Sequence, residues 1–553
     1  MNTPNNTLLH GIGITTEKTA GKLHFFHQST AKKATPSQNQ PGISQAERLR
    51  DAIRKTKETL SLLHERALLG VGAQEAEIFE IHAMLLDDED FQDALNRELD
   101  MGRSAEESVQ EAVRLFSEQL RATNDEYLAA RAADLRDIAE QLTDQLSGEI
   151  PKQGLPEDRE STEPYILVAE DLTPSQTILL EKSMILGFVT FAGTPNSHTA
   201  ILARAMGIPA LVGVGTISET CNGAYALLDA SAGTLTVSPT PAQITEFERR
   251  RKEETELARE HDRYLRSLIN KPAVTRSGHK MLIYANVGSE GEVPSALLNG
   301  ADGIGLFRSE FLYLALDRYP TEEELFESSR NTVLNMQGKR IVIRTLDIGA
   351  DKQIPYFDLP KEENPALGFR AVRICLAREN LFKTQLRAIL RASAFGTVSI
   401  MVPMIVSAEE IRDCRRLLEE CKAELLREHQ GFDANIEFGI MIETPAAAVM
   451  SDELAEEVDF FSVGTNDLTQ YTLAADRQNP ALDTLCERNR EPILRLIQRS
   501  AEAIHQSGGW IGICGELAAD LRLTQRFADM EIDELSVSVP YLLGVREKVI
   551  ECK

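Results

Sequence analysis

A histidine in a loop punctuated by glycine and proline is the first residue of the chain that could carry chemistry. His198 lies in the segment Gly193–Ile201, and a helical pattern follows over Ala200–Met206. A neutral imidazole is a competent nucleophile near pH 7, and the free N–H groups of a helix N-terminus favour an anion attached to its ring. The loop therefore indicates a nucleophilic histidine, although a lone loop histidine most often has no catalytic role.

A second group of reactive side chains follows short apolar runs in the second half of the chain, close to the point where each run ends. They are Arg308, Arg344, Asp347, Glu443, Asn466, Asp467, Arg477, Cys514 and Glu516. Arginine holds phosphate or carboxylate through a planar fork of donors, and carboxylates such as Glu443 and Asp467 supply the hard oxygen ligands that Mg²⁺ prefers. Gathered together, these residues would bind a small, multiply anionic molecule with a divalent metal. Taken singly, each charge is equally well explained by a surface salt bridge.

Cys514 is the thiol of this second group and ends the segment Ile511–Cys514. An inert, buried cysteine at the end of a strand is the plainer interpretation. Beside an anion site, however, a thiol can donate a proton, because its unperturbed pKa is about 8.5.

Eight apolar runs, each followed by a helical pattern, predict a (β/α)₈ barrel. They are Met281–Val287, Gly303–Phe307, Ile341–Ile343, Val398–Met404, Phe438–Ile442, Phe460–Val463, Trp510–Ile513 and Leu535–Val539. The carboxyl ends of barrel strands meet at one rim, so this fold would bring the charged residues together. We expect the long segment after Ile348 to cover the barrel mouth.

The first half of the chain predicts an α/β module interrupted by helices. Leu8–Phe26 is partly β-like, Ala46–Leu146 has helical spacing without proline, and Ile244–Ile269 is a charged linker-helix candidate. Short elements are predicted at Tyr165–Ala169, Gln176–Lys182 (helical), Gly187–Ala192, Ile208–Val212 and Ala226–Leu228. The predicted boundaries are 1–31 and 152–241 for the α/β domain, 44–148 for the inserted helical subdomain, 242–271 for the linker helix and 272–553 for the barrel.

The composition limits the classes of partner. The 553 residues include 86 acidic and 59 basic side chains and carry a net charge of −27, which disfavours nucleic acids and anionic membranes and allows a basic protein partner. Seven scattered cysteines without CxxC spacing are typical of reduced thiols in a cytosolic enzyme. The polar N-terminal residues lack the pattern of a signal peptide, and no apolar run is long enough to span a bilayer, so we expect a cytoplasmic protein.

Together the motifs resemble those of the enzyme I family of the sugar phosphotransferase system, the phosphoenolpyruvate–protein phosphotransferases. The loop carries Ser197–Thr199, Ala203–Arg204 and Ile208–Ala210. The barrel carries Gly305–Phe311, Arg344–Gly349, Gly464–Tyr471 and Cys514–Glu516. The helical part carries Ile78–Leu85, Asp125–Leu128 and Arg131–Ile138. The resemblance extends over nearly the whole chain.

This resemblance implies a multidomain α/β protein. Its parts would be a swivelling phosphohistidine α/β domain, an inserted helical subdomain that docks the phosphocarrier protein HPr, a linker helix and a C-terminal TIM barrel that binds phosphoenolpyruvate. The implied activity is transfer of the phosphoryl group of phosphoenolpyruvate to a histidine and then to HPr, with release of pyruvate. Mg²⁺ is the implied cofactor, and a homodimer through the barrel is the implied assembly.

The resemblance also implies a role for each reactive residue. His198 would accept the phosphoryl group through Nε2, Cys514 would protonate the methylene carbon of the enolate, and Thr173 would hydrogen-bond the histidine ring. Glu443 and Asp467 would hold Mg²⁺. Phosphoenolpyruvate would be bound by Arg308, Arg344, Arg370, Asn466, Asp467 and Arg477.

Three segments depart from the family pattern. Gly193–Asn196 stands where the family usually has Gly-Gly-Arg-Thr, so we expect a change in phosphohistidine stability or carrier preference. Gly11–Ile14 replaces the usual opening Ser-Pro-Gly motif. The chain ends at Lys553, soon after the eighth predicted strand, which predicts weaker barrel closure or a weaker dimer.

Three other functions remain open at this stage. A specialised paralogue could serve a dedicated HPr-like carrier, and a non-catalytic regulator could keep the same fold. Pyruvate phosphate dikinase and phosphoenolpyruvate synthase share the barrel and histidine motifs, but they need a large ATP-grasp domain for which this chain has no room.

Overall fold

The computed structural model describes residues 6–26, 44–70, 73–122, 126–147, 163–170, 172–180, 182–193, 197–352, 354–477, 479 and 482–553. The chain divides into two compact units, Met1–Glu256 and Leu257–Lys553. Each unit has its own hydrophobic core, as expected of independently packed domains.

An eight-stranded mixed sheet forms the α/β part of the first unit. Its strands are β1 (Thr7–His10), β2 (Ile12–Gly13), β3 (Lys18–Phe25), β4 (Tyr165–Ala169), β5 (Ile185–Thr190), β6 (Ala210–Val212), β7 (Tyr225–Asp229) and β8 (Thr234–Val237). They lie in the order β1-β8-β7-β3-β4-β5-β6-β2. Strands β3 and β4 pair in parallel, so the long segment between them leaves the sheet and returns beside its starting strand. The helical segment is therefore an insertion, as predicted.

The insertion consists of five helices in the described residues. They are α1 (Gln45–Gly70), α2 (Ala73–Asp87), α3 (Glu89–Asp100), α4 (Ala105–Ala122) and α5 (Glu126–Ser147). Apolar residues at helical spacing, among them Phe79, Phe91 and Ile138, meet in one core. The carboxylate of Asp88 accepts the Phe91 N–H at 3.0 Å and so caps α3 one residue after α2 ends.

Two short helices complete the α/β part, α6 (Pro174–Leu179) and α7 (His198–Met206). Helix α6 begins two residues earlier than predicted, because Thr173 forms a capping box with Gln176 and Pro174 suits the first helical position. Strand β6 begins only at Ala210, because Pro209 has no N–H to donate to the ladder.

A long charged helix, α8 (Pro241–Ser267), confirms the predicted linker helix. None of its side chains is buried. Arg249 pairs with Glu246 and Glu253 one turn away on either side, at 2.8 and 2.5 Å, and such exposed pairs stabilise a helix only slightly. The division between the two units falls within this helix.

The second unit is a closed parallel barrel preceded by a short strand, β9 (Ala273–Val274). The barrel strands are β10 (Lys280–Val287), β11 (Ile304–Arg308), β12 (Ile341–Arg344), β13 (Val398–Val402), β14 (Glu437–Ile442), β15 (Phe460–Val463), β16 (Trp510–Ile513) and β17 (Glu534–Ser538). Strand β10 pairs with both β11 and β17, which closes the ring. All eight predicted strands are confirmed, and the barrel closes fully.

Helices surround the barrel. They are α9 (Val293–Leu298), α10 (Glu310–Leu314), α11 (Glu322–Asn335), α12 (Val372–Ala377), α13 (Glu379–Ser393), α14 (Ala408–Arg427), α15 (Pro445–Val449), α16 (Ser451–Leu454), α17 (Thr465–Leu473), α18 (Asp483–Arg488), α19 (Glu491–Gln506), α20 (Thr524–Asp529) and α21 (Leu542–Glu551). The domain boundaries proposed from the sequence stay predictions. Among the described residues, no helix is long and apolar enough to cross a membrane.

Two local features differ from or extend the sequence prediction. Strand β13 stops at Val402 and not at Met404, because Pro403 cannot donate to the ladder and Met404 has a left-handed backbone, with φ of 63°. The segment after Ile348 forms three short 3₁₀ turns, and its residues Pro365–Leu367 line the mouth of the barrel, as expected.

One carboxyl group, that of Glu534, lies inside the barrel and apart from the charged rim. It is 2% exposed, and two glycines make room for it: a Cβ on Gly305 would lie 1.9 Å from Glu534 Oε1, and one on Gly512 would lie 3.1 Å from Oε2. Burial raises the pKa of Glu534 to about 8, since nearby Arg340 offsets only part of the desolvation.

We predict that Glu534→Gln removes a pH dependence of barrel stability. The unfolded chain releases the Glu534 proton near its ordinary pKa of about 4.5, whereas the folded chain holds it to about 8, so the folded state loses stability as pH rises through that window. The free energy of unfolding of Glu534→Gln, measured relative to that of the unchanged chain, should therefore increase as pH rises through this window and stay constant above it. Denaturant titration followed by the fluorescence of Trp510, the one tryptophan of the chain, measures the barrel selectively.

Glu456→Gln is the control, because Glu456 is an exposed carboxyl group of the same unit. It should leave the pH profile of the unchanged chain intact. If the free energies of unfolding of Glu534→Gln and of the unchanged chain changed with pH in the same way, the pKa of Glu534 would not be raised by folding, and the prediction would be wrong.

Candidate active site

A cavity of about 1550 Å³ opens at the carboxyl ends of the barrel strands. All the barrel residues singled out from the sequence line it: Arg308, Arg344, Asp347, Arg370, Glu443, Asn466, Asp467, Arg477, Cys514 and Glu516. Strands of a closed parallel barrel end at one rim, so residues far apart in the chain become neighbours. The structure brings this set together, and the role of each member stays a prediction.

Arg344 is held between two carboxylates. It ends β12, and its guanidinium pairs with Glu310 on one side and with Asp347 Oδ2, 2.9 Å from Nη1, on the other. Burial lowers and the two carboxylates raise the pKa of Arg344, and the net shift is upward, so its charge is secure. Glu310 is buried, and the cost of burying its charge outweighs the attraction of Arg344. Burial therefore raises the pKa of Glu310.

Asp347 links Arg344 to a second arginine, Arg370. Asp347 Oδ1 lies 2.7 Å from Arg370 Nη2, so each oxygen of this carboxylate faces a different guanidinium. Burial would raise the pKa of Asp347, but Arg344 and Arg370 outweigh it and hold that pKa below its ordinary value. The two arginines are thus fixed by one shared anion.

Two further arginines at the rim are more open. Arg308 is exposed, and its guanidinium lies over the Phe311 ring at 5.1 Å, where the ring face attracts a cation. Arg477 Nη1 lies 4.0 Å from Asp467 Oδ2, and about half of its side chain is exposed. Both guanidinium groups present donors to the cavity that an anionic ligand could occupy.

Glu443 is a fully buried acid that the protein alone does not satisfy. Its Oε1 accepts the N–H of Met404 at 2.6 Å, while its buried Oε2 has no hydrogen-bond partner in the described residues. Gly464 makes room for it, since a Cβ there would lie 2.9 Å from Oε2. Burial, together with the charges of Asp347 and Asp467, raises the pKa of Glu443 to about 8.

Asp467 and Asn466 lie in the first turn of α17, directly after β15. Asn466 exchanges two hydrogen bonds with Glu516: its Nδ2 donates to Oε1 at 3.0 Å, and its Oδ1 accepts the Glu516 N–H at 2.9 Å. These bonds tie the loop after β16 to the start of α17. Asp467 is buried and adds negative charge beside Glu443.

The two carboxylates fit a hard divalent cation. Within the described part of the chain, no three or more His, Cys, Asp or Glu side chains form a metal cage. Mg²⁺ does not need such a cage, because it is usually bound by one or two carboxylates and keeps waters and substrate oxygens as its other ligands. The orphaned Oε2 of Glu443 and the repulsion between Glu443 and Asp467 are both relieved by a cation.

Cys514 follows β16 at the base of the cavity. Its side chain is nearly buried, its Sγ lies 3.6 Å from the Val463 carbonyl oxygen, and its own carbonyl accepts from Asn286 Nδ2 at 2.9 Å. Burial raises the pKa of the Cys514 thiol to about 12. The thiol is therefore neutral at physiological pH and carries a proton that it can donate.

Known proteins match the chain from end to end. Three family descriptions fit successive parts: "PEP-utilising enzyme, N-terminal" over residues 10–131, "mobile domain" over 161–233 and "PEP-binding domain" over 262–553. Phosphoenolpyruvate-protein phosphotransferase of Bacillus subtilis (strain 168) is 38% identical, over 98% of this chain and 94% of its own length. That of Haemophilus influenzae is 44% identical, over 87% of this chain and 83% of its own. A solution structure of an Enzyme I protein is 28% identical, covers 45% of this chain and 99% of its own, and has a TM-score of 0.35.

The chain belongs to the phosphoenolpyruvate-protein phosphotransferase family. The resemblance stated from the motifs is thereby confirmed, as is the multidomain α/β architecture with its barrel. Neither the regulator nor the dedicated paralogue is favoured by relatives that carry this name.

The match to the mobile domain includes His198, which belongs to the first unit of the chain. His198 is the first residue of α7, and Ser197 caps that helix by accepting the Ala200 N–H at 3.4 Å. The His198 side chain and residues 194–196, where the loop departs from the family pattern, lie outside the described residues. The Thr173 hydroxyl caps α6, and its predicted bond to the histidine ring stays a prediction.

Sequence reasoning gave no role to several residues that hold the cavity together. Glu310 and Tyr471 belong to the motifs that contain Arg308 and Asp467. Their closeness in sequence to these two residues was the signal that could have identified them. Tyr471 Oη donates to the Ala366 carbonyl at 2.5 Å and lies 3.4 Å from Arg370 Nη1, so it joins α17 to the mouth segment. Gln385 lies outside every motif, and the sequence offered no signal for it.

We predict that iodoacetamide alkylates Cys514 much more slowly than the half-buried Cys486 at about pH 8. The thiolate is the reactive form, and burial with a pKa of about 12 leaves little of it on Cys514. Peptide mapping by mass spectrometry over a time course measures both rates. The two thiols should react alike once the chain is unfolded, and equal rates in the folded chain would contradict a neutral Cys514.

Proposed function

We propose that this chain transfers the phosphoryl group of phosphoenolpyruvate to His198 and then to an HPr-like phosphocarrier protein, releasing pyruvate, as the first step of sugar uptake by the phosphotransferase system. Family membership supports this activity. The observation that carries it is one cavity lined by Arg308, Arg344, Arg370 and Arg477 together with Glu443 and Asp467.

The arginines suit a substrate with phosphate and carboxylate groups. Arg344 and Arg370 are buried and held in place by Asp347, so their charges are oriented before substrate arrives. The more open Arg308 and Arg477 can close on the ligand from the rim, with Asn466 adding a neutral donor. Positive groups placed in advance stabilise the charge on a transferring phosphoryl group at little reorganisation cost.

Glu443 and Asp467 are the residues that would hold Mg²⁺. When bound, the ion would neutralise charge on the oxygens of the phosphoryl group and of the developing enolate. Glu443 would bind through its unpartnered Oε2, while its Oε1 stays oriented by the Met404 N–H.

The reaction balances without any other reactant. His198 Nε2 attacks phosphorus, a P–N bond forms, and the bond between phosphorus and the enol oxygen breaks. The electron pair left on that oxygen gives the enolate of pyruvate. The enolate takes a proton at its methylene carbon, and release of pyruvate leaves phosphohistidine for the carrier.

Cys514 is the proton donor in this proposal. Its neutral thiol lines the same cavity as the arginines, which supports a role as donor to the enolate formed there. A thiol that stays protonated until the enolate forms can act as its general acid. The thiolate regains its proton from solvent after product release.

His198 and the cavity belong to different units. In this proposal His198 reaches the cavity for the first transfer and the phosphocarrier for the second. The exposed helix α8 connects the two units in the chain and is a suitable support for such a movement. Domain movements of this kind often limit the rate of well-evolved enzymes.

The carrier is proposed to bind the helical insertion. This part of the chain exposes large apolar side chains, Leu62 and Met84, each 67% exposed, and the net charge of −27 favours a basic partner. A cytoplasmic location and a homodimer formed through the barrel complete the proposal.

We predict that phosphoenolpyruvate with Mg²⁺ adds one phosphoryl group to the unchanged chain and none to His198→Ala. Histidine phosphate is acid-labile, so brief acid treatment should remove the added mass. Intact-protein mass spectrometry measures both results. Excess chelator should prevent the modification if the cation is required.

His64→Ala is the matched control, because His64 is a half-buried histidine of the helical insertion. It should be phosphorylated like the unchanged chain. An added phosphoryl group on His198→Ala, or one stable to acid on the unchanged chain, would refute the assignment of His198.

We predict that Cys514→Ala lowers kcat for pyruvate release by about a hundredfold or more, with a much smaller change in KM. General acid catalysis contributes to the chemical step and little to binding. A coupled assay of pyruvate with excess carrier measures both constants. Cys421→Ala removes another buried thiol, whose Sγ lies 3.7 Å from the Lys383 carbonyl, and should behave like the unchanged chain. A normal kcat for Cys514→Ala would remove Cys514 from the mechanism.

A further inference from the structure

A buried glutamine lies beneath the rim, on a helix that carries none of the reactive residues. Gln385 belongs to α13, is 2% exposed, and sends its carboxamide towards the ends of β11 and β12. A buried amide must find partners for both its oxygen and its nitrogen, since either one left unpaired is costly.

Its partners form a short relay of three hydrogen bonds. Gln385 Oε1 accepts the Leu346 N–H at 2.9 Å, and Gln385 Nε2 donates to Ser309 Oγ at 2.9 Å. The Ser309 hydroxyl in turn donates to the Arg344 carbonyl at 2.7 Å. The orientation of the amide follows from its partner, because a backbone N–H can only donate and so must face the oxygen.

The relay begins where the strand ladder ends. Arg308 and Arg344 are the last register pair of β11 and β12. Beyond this pair, no ladder pair among the described residues sets the distance between the two strand ends. Ser309 directly follows β11, and Leu346 lies two residues after the end of β12. Gln385 and Ser309 therefore connect the backbones just past two arginines that face the same cavity.

The neighbouring backbone is held from its other side as well. The Thr345 N–H donates to the Met401 carbonyl at 2.9 Å, and Asp347 pairs with Arg344 and Arg370. Loss of the relay would free one side of the segment from Arg344 to Asp347 while leaving the β13 side intact. The expected change is a small displacement and not a loss of the fold.

We propose that Gln385 and Ser309 are positioning residues, which fix the spacing of Arg308 and Arg344 for the transferring phosphoryl group. This inference rests on the function proposed above. Neither residue touches substrate in it, and both act through the backbone that carries the two guanidinium groups. A misplacement of about 1 Å in such a clamp can cost about a hundredfold in rate.

The test compares Gln385→Met, Ser309→Ala and the double variant in the full-length chain. Methionine keeps an unbranched side chain of similar length without the hydrogen bonds. Each single variant should lower the rate of phosphorylation by phosphoenolpyruvate and Mg²⁺ about tenfold to a hundredfold, with a smaller change in KM. The double variant should be no slower than the slower single variant, because both break the same relay. Ser309→Thr, which keeps the hydroxyl, should restore most of the lost rate.

Two further readouts separate positioning from general destabilisation. Hydrogen–deuterium exchange at the Leu346 amide should quicken in Gln385→Met, while thermal unfolding followed by Trp510 fluorescence stays close to that of the unchanged chain. Ser500→Ala is the matched control, since it removes another fully buried hydroxyl of the barrel, bonded to the Leu496 carbonyl at 3.0 Å. It should leave the rate unchanged.

The outcomes are distinct. An unaltered rate in Gln385→Met, additive losses in the double variant, or an equal loss in Ser500→Ala would overturn the positioning role. If the unchanged chain forms no phosphohistidine at all, the proposed function fails first, and the exchange result still shows whether the relay holds Leu346.

Discussion

The cavity depends on the pairing of buried charges around Asp347. An unpaired guanidinium or carboxylate is very costly in a protein interior, so buried charges persist only where each meets an opposite charge. Asp347 satisfies this condition for Arg344 and Arg370 at once, through its two oxygens. The consequence is that two cations are fixed in direction before any ligand enters, which is what catalysis by preorganised charge requires.

The two buried arginines, Arg344 and Arg370, are paired with carboxylates, whereas one buried acid lacks a full set of partners among the described residues. Glu443 keeps one buried oxygen without a partner, and burial raises its pKa to about 8. The cavity therefore combines paired cations with a buried carboxyl group that has one oxygen without a partner in the part of the chain that the structure describes. The phosphate of a substrate would interact with the arginines, and a metal ion bound with it would interact with Glu443.

Backbone strain accompanies this pairing. Three non-glycine residues next to or lining the cavity have positive φ angles: Ala371 (52°), Met404 (63°) and Ala474 (50°). Such conformations persist only where the surroundings hold them, and they occur often at functional sites. At Met404 the reason is visible, because its N–H is thereby aimed at Glu443. The barrel positions the cavity residues, while His198, the proposed phosphoryl acceptor, belongs to the other unit.

Much of this could be predicted from residue types and spacing, for a physical reason. A buried parallel strand is a short apolar run, so all eight barrel strands were found, and the residues that close those runs had to meet at one rim. What the sequence by itself determined is therefore the fold class and the set of residues at the rim, and it pointed to His198 as the candidate nucleophile. Only the tertiary structure decided which groups touch. Gln385 forms hydrogen bonds with Leu346 and Ser309, which are 39 and 76 residues away in the sequence. Gly305 and Gly512 leave the space that the Glu534 side chain occupies. The thiol pKa of about 12 at Cys514 was also beyond the sequence, because burial and neighbouring charge are properties of the folded chain and not of the residue.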